Sequence, residues 1–465
     1  MCCAGLFSAA SAAEATGPQL CFAEGTPIET VAAHTMGHAP TAAAAGAQAA
    51  NAAQGWTETA MDGAGLRRGE PITLTWSVVP DGTAIIPALM NEGSDTSSLR
   101  AFLAANYGDE SVWRDLIQSV LDAWSDGPGI GFVYEPNDDG IMISSGSGIV
   151  GVRGDIRFAG HDIDGDNKTV AYAFFPAQGG DVVIDIPDAF NTIEAQFRNV
   201  LAHESGHAIG LGHTCPADKT KLMEPIISTF FSGPQFDDLL GAHRSYGDFE
   251  EENDRADEAT DLGLVVGTTT TDNGLALDGS DDEDWFLVPP GSLAEVSINL
   301  APLGSTYMFG ETSSASCSGV ATLAFDASSV QDLIIEVVDA DRVTTLASAD
   351  ATGAGGSEAL VDVRVSKLGG YIRIAGGGVD GAQMYEVEVV VVPEPSRLLM
   401  QGVAVMVVGL WLSIGARQNR RVQSKDTLSV THPNGDRSAT ANPPDTPRVP
   451  ATPSPAQAPC SVLAA

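Results

Sequence analysis

The spacing of apolar residues changes along this chain, and each change marks a different kind of structure. Ile72-Thr73-Leu74-Thr75-Trp76-Ser77-Val78-Val79 is β-branched and aromatic, which predicts a strand, and Pro80-Asp81-Gly82-Thr83 predicts the turn after it. From Ser98 to Trp124 the apolar residues fall at helical spacing (Leu99, Phe102, Leu103, then Val112, Trp113, Leu116, Val120, Leu121, Trp124), so one or two amphipathic helices are expected. Ile130 to Tyr134 and Gly154 to Phe158 predict two more strands. A further helix is expected where Ile193, Phe197, Val200 and Leu201 form a stripe, with Asn191 as its cap and Glu194 three residues on as in a capping box. Strand, helix, strands and helix make an α+β domain.

After the charged run Phe249 to Asp257 the pattern changes to short alternating strands: Leu262 to Val266, Asp281 to Val288, Ala294 to Leu300, Leu333 to Val338, Val361 to Val365, Tyr371 to Ile374 and Tyr385 to Val392. Regular short strands without a helical segment predict an all-β sandwich. Leu398 to Ala416 is a run of 19 mostly apolar residues followed by Arg417, Arg420 and Arg421. That length can cross a bilayer as a transmembrane helix, with the arginines holding its C-terminal end in the cytoplasm. The expected layout is 1–15 a truncated signal peptide, 16–67 a low-complexity linker or pro-segment, 68–248 the α+β domain, 249–392 the β-sandwich, 393–421 the apolar span with its flanks, and 422–465 a disordered tail.

Composition narrows the function. Asp and Glu outnumber Lys and Arg 61 to 23, a formal charge of −38, and such a surface repels nucleic acid and anionic lipid. Cys2, Cys3, Cys21, Cys215, Cys317 and Cys460 show no CxxC spacing, so neither a disulfide scaffold nor a cysteine zinc site is indicated; Cys215 has no assignable partner.

The chemistry concentrates in His203-Glu204-Ser205-Gly206-His207-Ala208-Ile209-Gly210-Leu211-Gly212-His213. His203 and His207, four apart, lie one above the other on a helix and can offer two imidazoles to one metal ion, with Glu204 beside it. On a continuous helix His213 would lie about 9 Å from His207 along the axis and on another face, so the helix must stop, and Gly210 is the residue to stop it. Three neutral imidazoles leave a fourth position open, which is the catalytic pattern for zinc. No GxSxG elbow is present, and no cysteine is spaced with a base, so nucleophilic catalysis has little support.

These residues, with Leu222-Met223-Glu224-Pro225 downstream, resemble the metzincin zinc peptidases and, in detail, the matrixin branch. The resemblance implies a mixed twisted sheet plus zinc helix, with His203, His207 and His213 as zinc ligands, Glu204 as general base and Met223 packing beneath the metal. It implies a polypeptide substrate laid along Thr169 to Phe174 as an added strand, and an S1′ wall at Ile226 to Gln235 that Phe230 and Phe231 help to shape. By the same resemblance, Asp164-Gly165-Asp166-Asn167-Lys168-Thr169 matches the structural calcium loop, with Asp164, Asp185 and Asp188 binding through side chains; a plain Asp/Gly turn is the equal alternative. Tyr172 and Val183 stand where matrixins place structural-zinc histidines, so a second zinc is not expected, and His161 reads as a lone surface histidine. Cys21, in Gln19-Leu20-Cys21-Phe22, lacks the neighbours of the matrixin inhibitory cysteine and is not assigned that role. The β-sandwich resembles the bacterial pre-peptidase C-terminal domain, a jelly-roll module whose acids are either calcium ligands or solvated surface, the second being favoured. Val392-Pro393-Glu394-Pro395-Ser396, the apolar span and the arginines resemble a PEP-CTERM sorting signal, implying bacterial export to the cell surface and an exosortase-type processing enzyme. The function expected is an exported zinc-dependent endopeptidase; the alternatives are a surface-anchored binding or matrix protein with a dormant peptidase, and a zinc hydrolase of a non-peptide amide.

Overall fold

The computed structural model describes residues 19–22 and 55–393, apart from 90–91, 94, 166–167, 189–193, 266, 268, 292–293, 311–316 and 318–320. The expected signal peptide, apolar span, sorting signal and tail lie outside the described residues, as do Asn191 and Ile193. Among the described residues no helix is long and apolar enough to cross a membrane.

The first part is built on a six-stranded sheet. Its strands are β1 (Gln19–Phe22), β4 (Ile72–Val78), β5 (Ile130–Tyr134), β6 (Ile156–His161), β7 (Thr169–Ala173) and β8 (Val182–Asp185), in the order β1-β7-β8-β6-β4-β5. A small hairpin of β2 (Glu58–Thr59) and β3 (Gly63–Ala64) precedes β4. β4, β5, β6 and β8 run parallel, whereas β7 is antiparallel to β8 and β1 antiparallel to β7. Parallel strands need both faces covered. One face packs against helices α1 (Leu99–Tyr107), α2 (Glu110–Leu121), α3 (Glu194–Ala208) and α4 (Phe236–Tyr246), around Trp76, Trp113, Trp124, Phe197 and Met223. The other face buries Leu20, Phe22, Val79, Ile85, Tyr172 and Val183.

The helical stretch expected from Ser98 to Trp124 is two helices, divided at Gly108, whose φ of +87° suits glycine. The buried residues of α2 are Trp113, Leu116, Ile117, Val120 and Leu121, a clean one-face spacing. Val112 was expected in that stripe but lies one position off it and is 53% exposed. The segment expected as linker or pro-segment contains ordered structure at both ends: β1, and Trp56, whose indole Nε1 donates to the Ala208 carbonyl at the end of α3 (2.9 Å).

The second part is two four-stranded antiparallel sheets facing one apolar core. The first sheet is formed by β10 (Glu283–Val288), β14 (Ile334–Asp339), β15 (Thr345–Ala349) and β17 (Gly370–Ala375). The second is formed by β9 (Thr269–Leu277), β11 (Ala294–Pro302), β16 (Glu358–Val365) and β18 (Gln383–Pro393). Phe286, Ile335, Ile372 and Ile374 meet Val296, Ile298, Leu300, Tyr385 and Val387 between them. Alternation explains the match with the expected strands, because every second residue must face that core. Four strands escaped the pattern: β9, β15, and the hairpin β12 (Thr306–Phe309) with β13 (Leu323–Asp326), the last three mostly half-buried or exposed. Leu262 to Val266 is expected as a strand, yet its described residues 262–265 form no strand; Thr260 just before them bridges Phe286.

A disulfide joins Cys215 to Cys317, 102 residues apart, and ties the first part to the second. Sequence spacing could not find it, because the two cysteines meet only when both parts are folded. Closing a loop of this length removes about 4.7 kcal/mol of unfolded-state entropy. Cys317→Ser is therefore expected to lower the unfolding free energy of the non-reduced protein, read by urea titration, by an amount approaching that figure, and reduced wild type should unfold like the variant.

Candidate active site

The zinc-type histidines are held by a helix that stops on time. α3 carries His203 and His207, and two residues after its last, Gly210 takes a φ of +99°. The turn is closed by Gly210 N–H donating to the His207 carbonyl (2.9 Å) and Leu211 N–H to the Gly206 carbonyl (2.8 Å). The chain then doubles back and places His213 Nε2 3.3 Å from His203 Nε2 and 3.2 Å from His207 Nε2.

The tautomers follow from the opposite ring nitrogens. His203 Nδ1 lies 2.7 Å from the Leu222 carbonyl and His207 Nδ1 2.6 Å from the Leu211 carbonyl. A carbonyl only accepts, so each Nδ1 carries the hydrogen and each Nε2 keeps a lone pair. Burial lowers His203 to about 4, and it lowers His207 and His213 well below the ordinary imidazole range, with neighbouring histidines adding to the effect. The Nε2 lone pairs of His203 and His207 both face His213 Nε2, and a cation among the three nitrogens would satisfy all of them. Tetrahedral zinc with bonds of ~2.0–2.1 Å sets its nitrogens about 3.3 Å apart, which is the spacing seen here.

A packed floor fixes the ligands. A Cβ on Gly206 would lie 2.4 Å from Met223 Sδ and 2.9 Å from Trp124 Cζ2, so the glycine lets methionine and indole press against α3 between the two histidines. Trp124 Nε1 donates to the Ala202 carbonyl (3.0 Å). The Asp238 carboxylate accepts from the backbone N–H groups of Leu222 (2.8 Å), Met223 (3.0 Å) and Gln235 (2.7 Å), which fixes the Leu222 carbonyl that orients His203. Nothing in the sequence pattern pointed to Asp238 or Trp124 as supports of the site.

Glu204 is fully buried, and among the described residues neither of its oxygens receives an N–H or O–H; the Cys21 thiol is the polar group that faces it. Burial raises its carboxyl well above the usual range. Beside it lies Cys21, whose Sγ, a His203 nitrogen and a Glu204 oxygen are all within 4.8 Å of one another. Burial, and then the Glu204 charge, holds the Cys21 thiol well above its ordinary pKa. No motif assigns Cys21 a role; folding carries it to the site because β1 pairs with β7, and no local pattern announces that pairing. Cys21 stands opposite Ala171, and Phe22 also bridges Ile226 in parallel, with Phe22 N–H donating to the Pro225 carbonyl (3.3 Å) and Ile227 N–H to the Phe22 carbonyl (3.0 Å). The edge strand expected to receive a peptide, and the segment after Met223, therefore both hold a peptide from the chain itself.

The remaining candidates divide. Asp185 accepts from Ile163 N–H (3.1 Å), and its carboxyl is raised to about 8 by burial first and by the charges of Asp188 and Asp164 after it, so these three acids are near one another. His161 is not a surface histidine: it is buried, with Nε2 2.7 Å from Glu92, which also accepts from the Tyr172 hydroxyl (2.9 Å). Phe230, expected near the pocket, is 76% exposed with Lys219 over its ring, while Phe231 packs against the core.

Residues 102–247 match the Matrixin family model. The matrixin-like segment contains the histidines, Glu204 and Met223. Over 154 residues the chain is 27% identical to Matrix metalloproteinase-2 of Drosophila melanogaster, covering 31% of this chain and 19% of that protein. It is 33% identical over 140 residues to Matrix metalloproteinase-20 of Homo sapiens (28% and 27% covered) and 37% over 92 residues to human Neutrophil collagenase (18% and 19%). The chain thus spans 19% to 27% of the length of these relatives. The match supports a metzincin-like fold and a zinc metallopeptidase.

The floor beneath the histidines generates a stability prediction. Gly206→Ala forces Met223 and Trp124 aside and should cost about 1–3 kcal/mol, read as a lower melting midpoint together with weaker zinc retention in dialysis.

Proposed function

We propose that this chain is a zinc-dependent endopeptidase that hydrolyses extended polypeptides. The observation that carries the reading is the convergence of three buried imidazole nitrogens beside a buried carboxylate that receives no N–H or O–H. His203, His207 and His213 would hold the metal. Zinc, when bound, supplies a Lewis acid that polarises the scissile carbonyl and makes water easier to deprotonate. Glu204 takes the proton of the attacking water, water oxygen bonds to the carbonyl carbon, and Glu204 returns the proton to the leaving amine nitrogen as the C–N bond breaks. β7 aligns the peptide as a neighbouring strand, and the Pro225 carbonyl and Ile227 N–H hold it from the other side, as they do Phe22.

Two finer parts belong to the same reading. Calcium at Asp164, Asp185 and Asp188 would neutralise acids that burial has crowded together. Export to a bacterial cell surface, with PEP-CTERM-type processing, rests on residues outside the described ones and on the resemblance of their sequence. The runner-up, a protein whose peptidase is dormant, gains one specific observation: β1 fills the cleft with Cys21 against Glu204 and His203. The two readings combine as a latent form that opens when β1 leaves.

Casein or gelatin cleavage by purified protein tests the enzyme. Activity should vanish on chelation and drop by a factor of about 10² to 10⁴ in Glu204→Ala while bound zinc is unchanged; equal activity in that variant rejects the general-base role. Cys21→Ala in the full chain should raise cleavage several-fold before any N-terminal processing, and an unchanged rate would remove β1 as an inhibitor.

A further inference from the structure

Of the three zinc-type histidines, His213 is the one that is not on α3, so its place depends on what holds the irregular backbone after Gly210. A ligand on a loop is only as well fixed as the loop's supports. On the inner side that backbone is tied to the turn carrying Met223, Thr214 N–H donating to the Met223 carbonyl (2.8 Å). From the other side it is met by the second part, through the hairpin β12–β13.

Two contacts of the hairpin fall next to the histidine. Cys215, two residues past His213 and fully buried, forms an antiparallel bridge with Gly310, just after β12. Its sulfur is bonded to Cys317, whose Sγ lies 3.7 Å from the Thr214 carbonyl. Two more contacts fall on the frame of the Met223 turn. The Tyr307 hydroxyl donates to Asp237 Oδ1 (2.5 Å) in the first turn of α4, and the next residue is Asp238, whose carboxylate accepts from Leu222 and Met223 N–H. Over the Tyr307 ring lies Lys221 Nζ, 6.0 Å from the centroid, and that buried lysine also pairs with Asp218 (3.2 Å) and Glu224 (3.7 Å). Glu224 in turn accepts from Lys219, Thr220 and Lys221 N–H (2.7, 2.8 and 3.0 Å), which closes the turn before Met223.

Packing stiffens the hairpin. Tyr307 and Phe309 flank Phe325, with ring centroids 5.4 and 6.1 Å from it, and all three share one apolar cluster with Phe236 and Leu240 of α4. A contact made only to hold two domains together could fall anywhere on the helical part. This one converges on the loop of His213 and on the acids and lysine that frame Met223. Phenylalanine would pack there as well as tyrosine does, so packing does not account for the Tyr307 hydroxyl.

We propose that the β12–β13 hairpin of the β-sandwich is a working part of the metal centre, in which Cys317 and Tyr307 are positioning residues for His213 and the Met223 turn. Cys317 acts through Cys215 on the backbone that follows His213. Tyr307 acts through Asp237 on the first turn of α4, and so on Asp238 and the Leu222 carbonyl that orients His203. The second part thereby sets how firmly the histidines hold a metal, which rests on the peptidase reading only in taking that metal to be the catalytic one.

Cobalt(II) is the probe, loaded into the full chain in place of zinc, because its visible absorption reads the geometry of its ligands without any cleavage. Tyr307→Phe keeps the ring and its packing; it should shift the cobalt band and release the metal to a chelator about 10-fold faster than wild type. The double variant Cys215→Ser/Cys317→Ser should do both at least as strongly. Ile372→Ala, in the sandwich core, is the control: it should lower the melting midpoint and leave band and release rate as in wild type. Wild-type band and release in both Tyr307→Phe and the cysteine variant would overturn the proposal. So would a control that changes as much as they do, since the effect would then be loss of global stability. A wild type that takes up no cobalt would overturn it together with the peptidase reading, whereas one that takes up cobalt and cleaves nothing would sink that reading and leave the variants to decide this one.

Discussion

His213 Nε2 sits 3.2–3.3 Å from the Nε2 atoms of His207 and His203, and much of the surrounding structure exists to keep the three imidazoles there. Left alone, such an arrangement is unfavourable, because the buried lone pairs outnumber the donors that face them. It persists because the opposite ring nitrogens are tied to the Leu222 and Leu211 carbonyls. Leu222 is held in turn by Asp238, and α3 is pinned by Trp124 and Trp56. A buried cation relieves the cost that these supports impose. That is the physical reason for reading the cluster as a metal centre rather than as core.

The same low-dielectric logic governs the acids. Glu204, Asp185, Asp248 and Asp284 are buried carboxyls whose pKa values rise chiefly through burial, yet their surroundings differ. Glu204 stands beside the histidines and the Cys21 thiol, suited to moving a proton. Asp284 stands among other acids, with the Tyr385 hydroxyl donating to it. Chemistry at each place is set by what faces the carboxylate, not by the carboxylate itself.

The cleft shows how an edge strand is managed. β7 is antiparallel to the body of the sheet and would present open N–H and C=O groups, a template for any extended peptide. β1 covers it, and the match of β1 to both β7 and the Pro225 to Ile227 segment makes the chain's own residues the first occupant. Across the other junction, the Cys215–Cys317 disulfide links the helical part to the β-sandwich. The two parts also share an apolar cluster, in which Leu240 of α4 meets Ala276, Phe325 and Met384.

By itself the sequence determined what is local. The i, i+4 pair of histidines, the glycine that ends their helix, the alternation of β10, β11 and β18 and the amphipathic spacing of α1 and α2 each depend on neighbours a few residues away, so they could be read directly. Val112 and Leu262 to Val266 show the limit of that reading, since an apolar residue faces the core only if the packing partner lies on its side. Tertiary structure alone decided the rest: Cys21 at the histidines across 182 residues of chain, His161 inside rather than outside, Asp238 beneath the turn, the cysteine pair, and acids from two parts of the chain converging at Asp284. Each of these is a contact between distant segments, and a contact of that kind carries no periodicity. It is fixed only when burial of the cores brings the segments together.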